Sequence, residues 1–195
     1  LMLIFFIPMI AVIIFRYVYT TVQGVSMPFA SWVGTGYTPL PNLVGVPQQV
    51  VLSTNIQFGA LMLVAALIAA GGIAGGIYVI RNMVWTEGIF VANDFWRGIK
   101  INIVIVLQST VFYGVMLYLF TISINWASYM NASGTGNDVL NSISIAVSYI
   151  AIAIVTLMYL WMLSMGGNYK LKFFQLLKNS FLMTFGLIFH NIFFV

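Results

Sequence analysis

The sequence has no cysteine, one histidine and three acidic residues. The first absence removes thiolate catalysis, cysteine-ligated metal and disulfide bridging. The scarcity of His, Asp and Glu leaves no metal-ligand spacing and no acid–base pair beside a nucleophile, and no glycine loop ends in Lys-Ser/Thr to cradle a phosphate. The sequence reads as a non-enzyme, without a catalytic, cofactor-binding or metal site. Charge of either sign is also scarce, 5% of 195 residues, where a soluble domain carries about a quarter. A water-facing surface cannot be built from so few ionised side chains, so lipid must be the solvent for most of the outside. The net charge of +4 does not point to nucleic acid, because the basic residues cluster beside apolar runs, as membrane orientation requires.

What is present is apolar sequence, 62% of the chain. A membrane-crossing helix needs about 20 predominantly apolar residues. Stretches at about 1–21, 58–83, 101–124, 139–165 and 179–195 qualify. The expected fold is an all-α polytopic bundle, a single integral membrane domain with at least five spans. Both ends of the sequence lie inside apolar runs, so five is a lower limit and six is the expectation for the intact chain. Arg16, followed by Tyr17 and Tyr19, reads as an interfacial anchor. The stretch 23–55 has no charge and alternates Pro28, Pro39, Pro41 and Pro47 with Gly24, Gly34, Gly36 and Gly45. Such a segment is expected to break from regular helix and fold over the membrane as an external cap. Gly34-Thr35-Gly36-Tyr37 resembles a potassium-filter string, but no pore helix precedes it.

The polar stretch Tyr78–Asn102 organises the chain. It holds Arg81, Glu87, Asp94, Arg97 and Lys100, half of all the charged residues. Asn93 or Asp94 is placed to cap a short interfacial helix from Phe95, with Arg97 and Lys100 toward water and anionic headgroups. Six of the seven Lys and Arg residues fall in 81–100 and 166–178, which positive-inside counting makes cytoplasmic. Arg81, Glu87, Asp94 and Arg97 are expected to pair with one another and hold this loop against the membrane.

Two further sets of residues are candidates. In the second span Ala65, Ala69, Gly72 and Gly76 make one small-residue face, where a neighbouring helix can approach closely. That face suits packing within the chain, a partner or a second copy. Gln108, Ser109, Tyr113, Asn141, Ser144 and Ser148, on the third and fourth spans, either bond across helices or line a polar path. His190, alone in the last span with no carboxylate near it in sequence, reads as a packing residue rather than a proton relay.

Tyr78-Val79-Ile80-Arg81-Asn82, then Glu87-Gly88-Ile89-Phe90-Val91, then Asp94-Phe95-Trp96-Arg97-Gly98-Ile99-Lys100-Ile101-Asn102 resemble the signature of the YesL-like bacterial membrane proteins. The small residues Ala74, Gly75 and Gly76 before it also suit that family. The resemblance covers about 30 residues, and the 23–55 loop is longer than the family pattern. It implies a small helical protein of the bacterial plasma membrane, accessory to a carbohydrate ABC transporter, with the lipid bilayer and transporter subunits or a second copy as partners. The alternative is a small autonomous transporter or channel, its path between the third and fourth spans and capped by 23–55.

Overall fold

The structure, a computed structural model, describes residues 1–35, 46–85, 90–169 and 171–187. Within them the chain forms five helices and no strand: α1 (Met2–Thr35), α2 (Val46–Trp85), α3 (Val91–Ala132), α4 (Asp138–Asn168) and α5 (Phe173–Gly186). The all-α expectation is correct. Met2–Tyr19, Val51–Trp85, Val91–Ala132 and Asp138–Asn168 are each long and apolar enough to cross a membrane. A backbone group without a partner costs several kcal/mol in hydrocarbon, so helix, which satisfies them all locally, is the form these runs take. At 1.5 Å per residue, the 42 residues of α3 extend about 63 Å, well beyond the roughly 30 Å of a hydrocarbon core. The last span expected, 179–195, overlaps α5, but 188–195, with His190, lies outside the described residues.

Three boundaries differ from expectation. The 23–55 stretch is not wholly a broken cap: α1 continues to Thr35 and α2 begins at Val46. Pro47 sits in the first turn of α2, where its missing N–H would have had no helical partner anyway. Pro28 is carried inside α1, as membrane helices allow. Gly36, Tyr37, Pro39 and Pro41 lie outside the described residues. At the next junction there is no separate interfacial helix, because α3 starts at Val91 and runs through. Its start is fixed by Asp94, whose Oδ2 accepts the Phe90 N–H at 3.2 Å. A carboxylate in the first turn also suits the positive end of the helix dipole. The third difference is α5, which begins at Phe173 rather than near 179.

The helices gather into two compact units. One comprises Leu1–Met9, Leu63–Leu117 and Ile152–Val195. Its core has Ala70, Ala74 and Val106 at the centre, packed by Ile73, Ile77, Ile103 and Leu163. Beside this, Met162, Met165 and Leu176 join α4 to α5, with Ile105, Phe112 and Phe173 against them. Contact between α2 and α3 depends on glycine on both sides. A Cβ at Gly75 would stand 2.6 Å from the Phe95 ring, and one at Gly98 would meet the Tyr78 Cβ and lie 3.2 Å from the Gly75 carbonyl oxygen. The second unit comprises Ile10–Met62 and Tyr118–Ala151. There Tyr118 donates to the Ile56 carbonyl at 2.9 Å, and Tyr19 meets Phe58 at 5.5 Å between ring centroids. The turn into α4 uses Gly134 and Gly136 at φ 65° and 95°, and Asn137 caps α4 by accepting the Val139 N–H at 3.0 Å.

Because the Tyr78 Cβ is fixed to the backbone, Gly98→Ala cannot be relieved by a side-chain rotation. It should destabilise the fold by about 1–3 kcal/mol, read as a lower midpoint in unfolding by sodium dodecyl sulfate. Gly186→Ala, which meets nothing within 4 Å, should leave that midpoint unchanged.

Candidate functional site

The small-residue face of α2 is occupied by its own chain. Ala65, Ala69, Gly72 and Gly76 are all buried. A Cβ on Gly72 would come 2.8 Å from the Phe5 Cβ and 3.0 Å from the Met2 carbonyl oxygen, and one on Gly76 would be 2.9 Å from Met2 Sδ. The first turns of α1 therefore lie against the backbone of α2. Phe5 continues from Gly71 and Gly72 to the Phe95 ring at 6.0 Å and the Trp96 ring at 6.5 Å. Of the roles the sequence left open for this face, packing within the chain is the one the geometry fills at Gly72 and Gly76.

The charged stretch is not held by mutual ion pairs among its described members: none links Arg81, Asp94 and Arg97. Arg81, half-buried, donates from Nη1 to the Gly167 carbonyl at 2.7 Å, and its guanidinium lies 5.1 Å from the centre of the Tyr78 ring. That bond ties the end of α2 to the C-terminal turn of α4, where carbonyls have no helical donor and a cation suits the dipole. A Cβ on Gly167 would meet Ile77 Cγ2 at 2.6 Å, so a small residue there lets the carbonyl reach Arg81. Asp94 is engaged by the Phe90 N–H. Arg97 and Lys100 are exposed, and Glu87 lies outside the described residues.

The hydroxyl-bearing residues of the spans fall into separate groups. In the first unit α3 and α4 exchange hydroxyls twice: Thr110 with Tyr159 at 3.1 Å and Tyr113 with Thr156 at 3.3 Å. The two tyrosine rings stack at 4.4 Å with 5° between their planes. Ser109 is buried and donates to the Ile105 carbonyl of its own helix at 2.8 Å. Gln108 does not join them; it is exposed on the outer face of α3. In the second unit Ser148 donates to the Ser144 carbonyl at 2.8 Å and lies 3.3 Å from the Ser123 hydroxyl. Asn141 keeps its Nδ2 sealed without a partner, as does the buried Asn102 of the first unit. Thr156 and Tyr159 were not singled out by sequence reasoning. Their signal was a matched spacing: Thr and Tyr three apart on each of two consecutive, antiparallel helices.

The hydroxyl pairs of α3 and α4 in the first unit answer each other. Among the described residues no three His, Asp or Glu side chains come close enough to hold a metal ion. Arg81 ties two helices together. Arg81→Met should cost about 1.5–3 kcal/mol, the range for a charge-assisted hydrogen bond, measured by the same unfolding titration. Lys178→Met, at an exposed position, should stay within about 0.5 kcal/mol of the parent. No family model, curated protein or solved structure matches the chain.

Proposed function

We propose that this protein is a non-enzymatic accessory or regulatory subunit of the bacterial plasma membrane. It acts beside a carbohydrate ABC-transport system, through contacts of its helices and of a cytoplasmic docking element at 81–100. The observation that carries this reading is the arrangement of polarity. Inside the helices the hydroxyls of Ser109, Thr110, Tyr113, Ser148, Thr156 and Tyr159 are paired with one another or with the backbone, whereas exposed charge and exposed aromatic rings stand together at the α2–α3 junction. There Trp85, Phe90, Trp96, Arg97 and Lys100 all face outward. Aromatic and Arg side chains are the residues that anchor protein contacts. The resemblance of Tyr78–Asn102 to the YesL-like proteins supports the transport association. With Gly72 and Gly76 filled by α1, the docking role belongs to this junction and not to the small-residue face. The autonomous-transporter alternative has less support, since Ser109, Tyr113 and Ser148 of its path are bonded within or between helices and Gln108 faces outward.

The test is a gentle-detergent pull-down of the full-length protein from its native membrane, with co-purifying chains identified by mass spectrometry. Transporter subunits should be recovered in stoichiometric amount and lost with Arg97→Glu/Lys100→Glu. Recovery of the protein alone, together with solute flux after reconstitution, would overturn the accessory reading in favour of a carrier.

A further inference from the structure

The turn between α3 and α4 fixes its own depth in the membrane. Gly134 to Asp138 are all exposed, and Gly134 and Gly136 stand at positive φ. Exposed backbone of this irregular kind does not face hydrocarbon, where its N–H and C=O groups would find no water. From Val139 the exposed surface turns apolar: Val139, Leu140, Ile143, Val147 and Ile150 are each more than half exposed. The boundary between headgroups and hydrocarbon therefore falls at the start of α4, on Asp138. An open groove of about 440 Å³ begins there, lined by Asp138, Val139, Ser142, Ile143 and Ala146. Ser142 lies one turn, about 6 Å, deeper than Asp138 on the same face, and Ala146 one turn deeper again. Polarity along the groove is graded, from a carboxylate through a hydroxyl to methyl groups. Neither Asp138 nor Ser142 makes a side-chain hydrogen bond or ion pair among the described residues. The side-chain cap of α4 comes from Asn137.

We infer that this groove binds a phospholipid whose headgroup carries a primary ammonium. The nitrogen sits on the Asp138 carboxylate, the phosphate–glycerol region beside the Ser142 hydroxyl, and the start of one acyl chain on Ile143 and Ala146. The order of groups along α4 is the order in such a lipid, read inward from its headgroup. Lipid is the solvent of this face in any case, and the carboxylate decides which lipid. A primary ammonium brings three N–H donors, and charge-assisted hydrogen bonds are about twice as strong as neutral ones. A trimethylammonium headgroup has the charge but no N–H, and an anionic headgroup is repelled. The chain itself supplies little competition, since no Lys or Arg occurs between Lys100 and Lys170. The other charged residue of the second unit is Arg16, one turn before Tyr19, which meets Phe58 near the level of Tyr118. Tyr118 is 14 residues from the end of α3 at Ala132, about 21 Å, so Arg16 is far from Asp138. An acid in the first turn also suits the helix dipole, a role that acts on folding alone and is separated below. This inference stands apart from the accessory role, which rests on the α2–α3 junction.

The lack of cysteine allows one label at a time. The full-length protein is placed in liposomes of equal phosphatidylethanolamine and phosphatidylcholine, with a bimane on Ile150→Cys, one turn beyond Ala146. Bromine on the chains of one lipid or the other then quenches the label according to which lipid lies beside it. The same label on Leu160→Cys, exposed further along α4, is the control. Phosphatidylethanolamine should be enriched about two- to fivefold at 150, the range of one exposed ion pair, and not at 160. Asp138→Asn should bring the ratio at 150 to one, whereas Asp138→Glu should keep it. Phosphatidylglycerol in place of phosphatidylethanolamine should bring the ratio below one. A ratio of one in the parent would overturn the inference, as would equal enrichment at 160. So would a ratio that survives Asp138→Asn while the unfolding midpoint falls, which would assign the carboxylate to the helix dipole alone.

Discussion

The close approach of α1 and α3 to the backbone of α2 is the contact on which the first unit depends. In lipid there is no hydrophobic force to drive apolar helices together, so association rests on dispersion between well-fitted surfaces and on the few hydrogen bonds that cross between helices. α2 meets that requirement by omission. Ala70, Ala74, Gly71, Gly72, Gly75 and Gly76 remove side chains from two sides of one helix. Met2 and Phe5 enter one side and Phe95 the other. A side chain the size of leucine at any of these glycines would have to displace a ring, a thioether or a carbonyl. Phe5, Phe95 and Trp96, in mutual ring contact, fill the volume that the small residues vacate.

Hydrogen bonds add specificity to this packing more than strength. The two hydroxyl exchanges between α3 and α4 are each worth about 0.6 kcal/mol on average for membrane helices, less than one well-packed large side chain. Their use is in register, since sliding α4 by one residue would break both and unstack Tyr113 from Tyr159. Arg81 does the same at the helix ends. Its bond to the Gly167 carbonyl fixes where α4 ends relative to α2, while Arg97 and Lys100 stay exposed at the junction.

Much of this was legible in the sequence because a membrane leaves few options. Long apolar runs had to be helices, and the small-residue periodicity of α2 had to be a close contact. What periodicity does not carry is the identity of the neighbour. Nothing in Gly72 or Gly76 says that Met2 and Phe5 will cover them and not another chain. The helical content of 23–35 and 46–55 was missed because proline and glycine were weighed as they are in water, where a broken helix can bond to solvent. Asp94 was expected to cap a helix from Phe95 and instead bonds back to Phe90, a shift of one turn that propensity cannot resolve. Gln108 was grouped with Ser109 by proximity in sequence, yet adjacent helical residues lie about 100° apart, and the two face opposite environments.

The intrachain seat of α1 on α2 is the claim most open to direct measurement. Met2→Cys/Gly76→Cys in the otherwise cysteine-free chain, oxidised in liposomes at high dilution of protein in lipid, should give a disulfide within one chain, migrating as a monomer and forming independently of protein density. A disulfide that appears only between chains, rising with protein density, would mean that the small-residue face of α2 serves a second molecule and that the packing described here is wrong.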